Sequence, residues 1–122
     1  MIDHTSLNVS NYEKSKEFYA KALAPLNYSV LMDLPEWKTA GLGANGKPDL
    51  WISQREPIGK VHVALGVDSR ALVDAFHAAA VEAGGTDNGK PGLRTEYHPT
   101  YYGAFVLDAD GNNIEVVCHK PE

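Results

Sequence analysis

Two histidines and one glutamate are the residues of this sequence whose types and positions suggest chemistry. His4 and His62 open two similar segments, and Glu115 lies near the end of the 122-residue chain among apolar neighbours. A carboxylate in such a strand is costly unless it is solvated, paired or bound to a metal. Two imidazoles and a carboxylate are typical of iron, manganese or zinc sites that leave coordination positions open for a substrate. The spacing alone leaves open whether they form one metal site or are separate surface and core residues.

A loop rich in polar aromatic residues is a second candidate region. It contains His98, Tyr101 and Tyr102. An imidazole beside phenols can transfer protons or contact a substrate, so we consider these three residues candidates for that role. The alternative is a proline-stiffened loop with tyrosines at the surface. His77 and His119 are weaker candidates, since one falls on a predicted helix and the other near the rim of the last strand.

The secondary-structure elements that must position these residues occur in two similar copies along the sequence. When the sequence is displaced by 58 positions, His4–Ser10 aligns with His62–Asp68, and Phe18 aligns with Phe76. Each half then predicts a strand, a helix and three shorter strands. The resulting order is βαβββ twice.

Cap and turn residues predict where the elements begin and end. Ser10, followed by Glu13, has the form of a capping box for a first helix that continues to about Ala24. Asp68 or Ser69 caps the second helix, which ends at a Gly-Gly pair. Two hairpins are expected at equivalent places, at Asn45-Gly46 and Asp110-Gly111.

Alternation within the predicted strands separates a polar face from a core face. The core side carries Leu7 and Val9 on the first strand and Ile114, Val116 and Cys118 on the last. The polar side carries His4, Ser6 and Asn8 on the first strand, His62 and Ala64 on the fifth, and Glu115, Val117 and His119 on the last.

The two units, about 1–56 and 60–122, have no long linker between them, so we expect one domain over residues 1–122. The fold class is α+β, with helices on the outer face of curved mixed sheets. Helices that cover one side of a sheet leave the other side free for a site.

Composition excludes several classes of function. The net charge is −5 and the basic residues are scattered, which argues against nucleic acid as a partner. No apolar run approaches the ~20 residues of a membrane span, and no signal-like segment opens the sequence. We therefore expect a cytoplasmic protein without a membrane partner. The single cysteine, Cys118, forms no internal disulfide and is expected to be a small buried hydrophobe.

A family resemblance is carried by the tandem units, by their histidines and by the segment Phe105–Glu115, which ends in Asp-Gly-Asn-Asn-Ile-Glu. The chain resembles the vicinal oxygen chelate superfamily over its full length. That superfamily includes glyoxalase I, extradiol dioxygenases, fosfomycin-resistance enzymes and bleomycin-resistance proteins. The resemblance implies paired cups that hold a divalent ion of iron, manganese, zinc or nickel on His4, His62 and Glu115. It also implies a homodimer, with the cup built within one chain or between two.

One departure from the family pattern concerns the fourth strand. Glyoxalase I typically has a further ligand at the position equivalent to Glu115, where this sequence has Trp51, and an indole cannot ligate a divalent ion. Three ligands resemble the dioxygenases and the fosfomycin enzymes, but most dioxygenases are longer and no arginine follows Glu115 here. We expect Ser6 and Trp51 to line the substrate pocket.

The leading hypothesis is a metal-dependent enzyme acting on a small oxygen-bearing substrate through a stabilised enolate-type or catecholate-type anion. The alternative is a bleomycin-resistance type protein that sequesters a planar compound by stacking on Trp37, Trp51 and tyrosines without catalysis. A third possibility is a non-catalytic partner or regulator.

Overall fold

The computed structural model describes residues 1–122 and contains two βαβββ units in succession. Short 3-10 turns at Ala24–Leu26 and Pro35–Trp37 flank the second strand. Neither α-helix has the length and apolar character needed to cross a membrane. The elements in chain order are β1 (Thr5–Val9), α1 (Tyr12–Ala22), β2 (Ser29–Leu34), β3 (Thr39–Gly43), β4 (Leu50–Gln54), β5 (His62–Gly66), α2 (Arg70–Glu82), β6 (Thr86–Leu93), β7 (Tyr102–Leu107) and β8 (Asn113–Cys118).

Each unit forms its own four-stranded mixed sheet. The strand orders are β1-β4-β3-β2 and β5-β8-β7-β6, and no strand pairing joins the two sheets. β1 and β5 run parallel to β4 and β8, whereas the other neighbours are antiparallel. Helix α1 packs on β2, β3 and β4, α2 packs on β6, β7 and β8, and the helices contact each other. The predicted α+β fold with two repeated units is therefore confirmed.

Burial follows the alternation predicted for the first and last strands. Leu7 and Val9 are buried, whereas Ser6 before them is exposed and Asn8 between them is half-buried. The core residues of β8, which are Ile114, Val116 and Cys118, join one apolar cluster with both helices. The cysteine is buried and unpaired, as expected.

The structure corrects several predicted boundaries. Asn11, and not Ser10, caps α1, because its side chain accepts a hydrogen bond from the backbone N–H of Lys14 at 3.0 Å. The helix ends at Ala22, since the following residues form a 3-10 turn containing Pro25. β3 begins at Thr39, because Pro35–Trp37 form the second 3-10 turn.

The second helix matches its prediction more closely. Ser69 is its cap and accepts from the backbone N–H of Leu72 at 3.3 Å. After the helix, Gly84 has a φ of 109°, a conformation that L side chains rarely adopt. The helix buries Val73, Phe76 and Ala80.

A buried polar network joins the two units. The Asp108 carboxylate accepts hydrogen bonds from the Tyr19 hydroxyl at 2.5 Å and the Asn112 side-chain amide at 2.8 Å. Its other oxygen accepts the backbone N–H groups of Asp110 and Asn112. The Asn112 side-chain oxygen accepts the Val61 N–H at 3.0 Å, immediately before β5. Burial, together with the Asp108 charge, raises the pKa of Tyr19 far above its usual value, so its hydroxyl remains a donor.

We expect Tyr19→Phe to lower the free energy of unfolding by about 1–3 kcal/mol, because buried Asp108 loses one of its hydrogen-bond donors. Urea unfolding monitored by circular dichroism measures the change. Tyr97→Phe is the matched control, since Tyr97 is 64% exposed. Equal stability of the two variants would contradict a structural role for the network.

Candidate functional site

The candidate site lies on the face of the second sheet that points away from α2, which we call the cup face. Ala104 and Val106 of β7 belong to the core cluster on the helix side, so Phe105 between them lies on the cup face. Phe105 stands opposite Glu115 of β8, and Glu115 stands opposite Ala64 of β5. The predicted polar face of this sheet thus brings residues from three strands side by side.

His62 and Glu115 form the centre of the cup face. Glu115 is only 2% exposed, and its Oε1 lies 3.0 Å from His62 Nε2. The His62 Nδ1 lies 3.1 Å from the backbone carbonyl oxygen of Asn113. Because a carbonyl oxygen only accepts hydrogen bonds, Nδ1 carries a proton and donates. The lone pair of a neutral His62 therefore faces a carboxylate oxygen, a contact that requires a proton or a cation between the two atoms.

The donor chemistry of this pair fits a divalent metal ion. Two ligands that bind one ion at about 2.1 Å and at a right angle lie about 3 Å apart, which is the separation of His62 Nε2 and Glu115 Oε1. Metal-ligating imidazoles commonly donate their other N–H to a carbonyl or carboxylate, as His62 does to Asn113. The pair thus offers two donors of the types that such metal sites use.

The third predicted ligand, His4, lies just before β1 and is not in contact with the pair. Its Nδ1 is 2.8 Å from the carboxylate of Asp3. His4 and His62 line one cavity of about 310 Å³. No group of three or more His, Cys, Asp or Glu side chains is close enough to hold a metal ion. The structure therefore brings together two of the three predicted ligands, and the assignment of His4 stays a prediction.

Tyr101 immediately precedes β7 and donates its hydroxyl to the second carboxylate oxygen of Glu115. A Cβ added at Gly103 would lie 3.3 Å from the Tyr101 ring and 3.4 Å from Glu115 Oε2, so a glycine leaves room for this contact. Burial and, to a smaller extent, the hydrogen bond to Glu115 and its charge raise the pKa of Tyr101 to about 12. At neutral pH its phenol is thus a hydrogen-bond donor.

His98 and His119 lie on the far side of Tyr101. The His119 ring packs edge-on against Tyr101 at 5.1 Å, and the His98 ring lies 5.9 Å from His119. The His98 Nδ1 accepts the backbone N–H of Thr100 at 3.2 Å, which anchors its ring in the loop. His98 is therefore separated from the carboxylate by two side chains. His119, a weaker candidate from the sequence, is the nearer imidazole to Tyr101.

Tyr102 does not lie on the cup face, contrary to the expectation that grouped it with Tyr101. Its hydroxyl donates to Asp74 of α2 at 2.6 Å, and its ring lies 5.1 Å from the Arg70 guanidinium. Successive residues of a strand point to opposite faces. Tyr102 therefore fastens α2 to β7 on the helix side.

Ser6 and Trp51 stand opposite one another in the first sheet. In the second sheet Ala64 pairs with Glu115 in the same register, so Trp51 occupies the position equivalent to Glu115. A Cβ added at Gly41 would lie 2.9 Å from the indole, so the ring lies over a glycine. Their proposed role in a pocket stays a prediction.

Two residues of the cup face, Phe105 and Arg94, were not predicted as site residues from the sequence. The Phe105 ring stacks on His62 at 6.2 Å, and the Arg94 guanidinium lies 5.4 Å from the Phe105 ring. Phe105 pairs with Glu115 across the hairpin of β7 and β8, so the pairing of these two strands could have identified it as a residue of the same face. No comparable signal existed for Arg94, because β6 is irregular and its register shifts twice.

The sequence and fold are similar to those of known proteins. A family model described as Glyoxalase/Bleomycin resistance protein/Dioxygenase superfamily matches residues 1–116. A glyoxalase/bleomycin resistance protein from Albidiferax ferrireducens T118 is 24% identical, with a TM-score of 0.80 over 94% of this chain and 96% of that one. A mutant of glyoxalase I from Zea mays is 26% identical, with a TM-score of 0.67 over 95% of this chain and 46% of that one. TnmS3, an antibiotic binding protein from Streptomyces sp. CB03234, is 24% identical, with a TM-score of 0.69 over 98% of this chain and 96% of that one. No curated protein matches the sequence.

We expect Glu115→Gln to lower the pKa of Tyr101 from about 12 toward its usual value of 10.0, because the neighbouring negative charge is lost while the burial remains. Ultraviolet titration of tyrosinate, corrected with the Tyr101→Phe curve, measures this one residue. Glu96→Gln, in the exposed part of the same loop, is the matched control. An unchanged midpoint in Glu115→Gln would show that the hydrogen bond is not formed in solution.

Proposed function

Because the chain belongs to the Glyoxalase/Bleomycin resistance protein/Dioxygenase superfamily, we propose that it is a metal-dependent enzyme acting on a small oxygen-bearing organic substrate. The observation that carries the proposal is the contact between His62 Nε2 and the buried Glu115 carboxyl group, which requires a proton or a cation between the two atoms. The proposed ligands are His4, His62 and Glu115, and the ion is iron, manganese, zinc or nickel. A divalent ion bound there supplies Lewis-acid stabilisation of negative charge on adjacent substrate oxygens.

The chain's own residues orient the site. Asn113 holds the His62 ring through Nδ1, and Tyr101 holds one oxygen of Glu115, so both side chains are fixed before a ligand arrives. Fixed donors contribute more to catalysis than mobile ones because they need no reorganisation during the reaction. In this proposal the Tyr101 hydroxyl, whose one proton is donated to Glu115, contacts the edge of the substrate as a hydrogen-bond acceptor, and His98 exchanges protons with solvent at the rim.

The proposal includes a homodimer in which Ser6 and Trp51 of the first sheet form a wall of the pocket. Such a dimer would bury some of the large apolar side chains that the single chain leaves exposed. The large exposed side chains include Met32, Trp37, Leu93 and Tyr97.

A non-catalytic binding protein is the second candidate, favoured by a specific observation. Both carboxylate oxygens of Glu115 already have protein partners, His62 and Tyr101. The half-buried rings of Phe105 and Trp51 offer flat apolar surfaces on which a planar compound can stack. This candidate needs no metal.

Metal retention separates the two candidates. We expect wild-type protein, loaded separately with iron, manganese, zinc and nickel and then dialysed, to retain close to one ion per chain in elemental analysis. Glu115→Gln and His62→Gln lose the ion because each removes a donor, and loss in His4→Gln assigns the third ligand. Losing a ligand or its support typically costs at least about tenfold in metal affinity. His77→Gln is the control, since His77 of α2 pairs with Asp87 of β6, away from the proposed ligands.

Failure of the wild type to retain any of the four ions would overturn the enzyme proposal. The binding candidate then predicts that a planar aromatic compound quenches tryptophan fluorescence in metal-free protein. Trp51→Phe abolishes that quenching, whereas Trp37→Phe, at a surface position that is 72% exposed, does not.

A further inference from the structure

Arg94 places a positive charge on the cup face next to the His62–Glu115 pair. Its guanidinium carbon lies 5.4 Å from the centre of the Phe105 ring, and that ring stacks on His62 at 6.2 Å with an interplanar angle of 24°. Phe105 stands directly opposite Glu115 in the strand register. One aromatic ring therefore separates the cation from the imidazole on the same face of the sheet.

The guanidinium is held in a fixed position by backbone groups. Its Nη1 donates to the Gly92 carbonyl oxygen and its Nη2 donates to the Lys90 carbonyl oxygen, both at 2.8 Å. A Cβ added at Gly89 or at Gly92 would lie 3.2 Å from the nearer Nη atom. The two glycines thus leave the space in which the guanidinium lies, and its position does not depend on a ligand.

Most of the hydrogen-bonding capacity of Arg94 is unused. A guanidinium has five N–H donors, and only the bonds to Lys90 and Gly92 are made. No ion pair of the structure includes Arg94. The Arg94 Nε makes no hydrogen bond within the protein. The only buried side-chain nitrogen or oxygen without a partner is Arg70 Nε, so the Arg94 Nε is accessible to solvent. A fixed, unpaired and accessible guanidinium is suited to binding an anion through two parallel hydrogen bonds.

We propose that Arg94 binds a carboxylate of the ligand, which makes the substrate class of this site the small organic acids. The carbon skeleton of such an acid lies over Phe105, and its other oxygens lie at the His62–Glu115 end. The assignment as a substrate class rests on the proposed function, whereas the preference for an anion rests on Arg94 alone. The competing role is structural, in which Arg94 only secures the carbonyl groups of Lys90 and Gly92.

The test compares benzoate with benzamide, two probes of similar shape that differ in charge. Isotope-labelled full-length protein is titrated with each probe in the presence of a chelator, and the Nε–H resonance of Arg94 is identified by its disappearance in Arg94→Lys. We expect benzoate to bind at least about tenfold more tightly than benzamide, because a charge-assisted hydrogen bond contributes at least that much to binding. Benzoate should also shift the Arg94 resonance.

The variants separate a binding role from a structural one. Arg94→Gln removes the preference for benzoate, whereas Lys90→Gln, which removes an equal charge four residues away, retains it. Gly92→Ala keeps the arginine but crowds its guanidinium, since the added Cβ would lie 3.2 Å from Nη1, and it also reduces the preference. If Arg94→Gln does not fold, Gly92→Ala gives the same comparison.

Three results would overturn the proposal: equal binding of the two probes to wild-type protein, no measurable binding of either probe at millimolar concentrations, or an unchanged preference in Arg94→Gln and Gly92→Ala. If the wild-type protein retains no metal but still prefers benzoate, the enzyme proposal is excluded and the anion site remains. If it retains metal but shows no preference for benzoate, the metal site remains and the binding role of Arg94 is excluded. Metal-loaded protein then tests the substrate class, since 3,4-dihydroxybenzoate should bind more tightly than both benzoate and 3,4-dihydroxybenzamide.

Discussion

The buried carboxylate of Asp108 is the interaction on which the arrangement of the site depends. It accepts the Tyr19 hydroxyl from the first unit and side-chain and backbone N–H groups of Asn112 from the second. Asn112 in turn binds the backbone N–H of Val61, and so sets where β5 begins beside β8. His62 is the first residue of β5, and its contact with Glu115 follows from that register. One network therefore joins the units and aligns the two central residues of the cup face.

Burial of Glu115 has a consequence for function. Burying a carboxyl group that is 2% exposed is costly, and the contacts with His62 and Tyr101 offset that cost only if a proton or a cation lies between His62 and Glu115. The equivalent position of the first unit carries Trp51, which has no such requirement. The duplicated fold is thus symmetric in its backbone and asymmetric in its chemistry. The second sheet presents charged and polar groups, and the first presents an indole.

Much of the fold and part of the site could be predicted from the sequence. Alternation placed Leu7 and Val9 in the core and His62 and Glu115 on one polar face, because neighbouring strand residues point to opposite sides whatever the tertiary structure. The same rule, applied to the Tyr101–Tyr102 pair, would have separated the two tyrosines. Arg94 was not predictable, because its position depends on two register shifts in β6 and on the space above two glycines.

By itself, the sequence determined the repeat, the strand and helix order and the residue types that each face offers. These follow from local periodicity and from the match between the two halves. Only the tertiary structure decided that His62 and Glu115 are in contact, that Tyr102 faces a helix, and that His4 stands apart from the pair. Such distances depend on how separate strands are aligned and packed, and that alignment is set by long-range contacts such as the one between Tyr19 and Asp108, which are 89 residues apart in the chain.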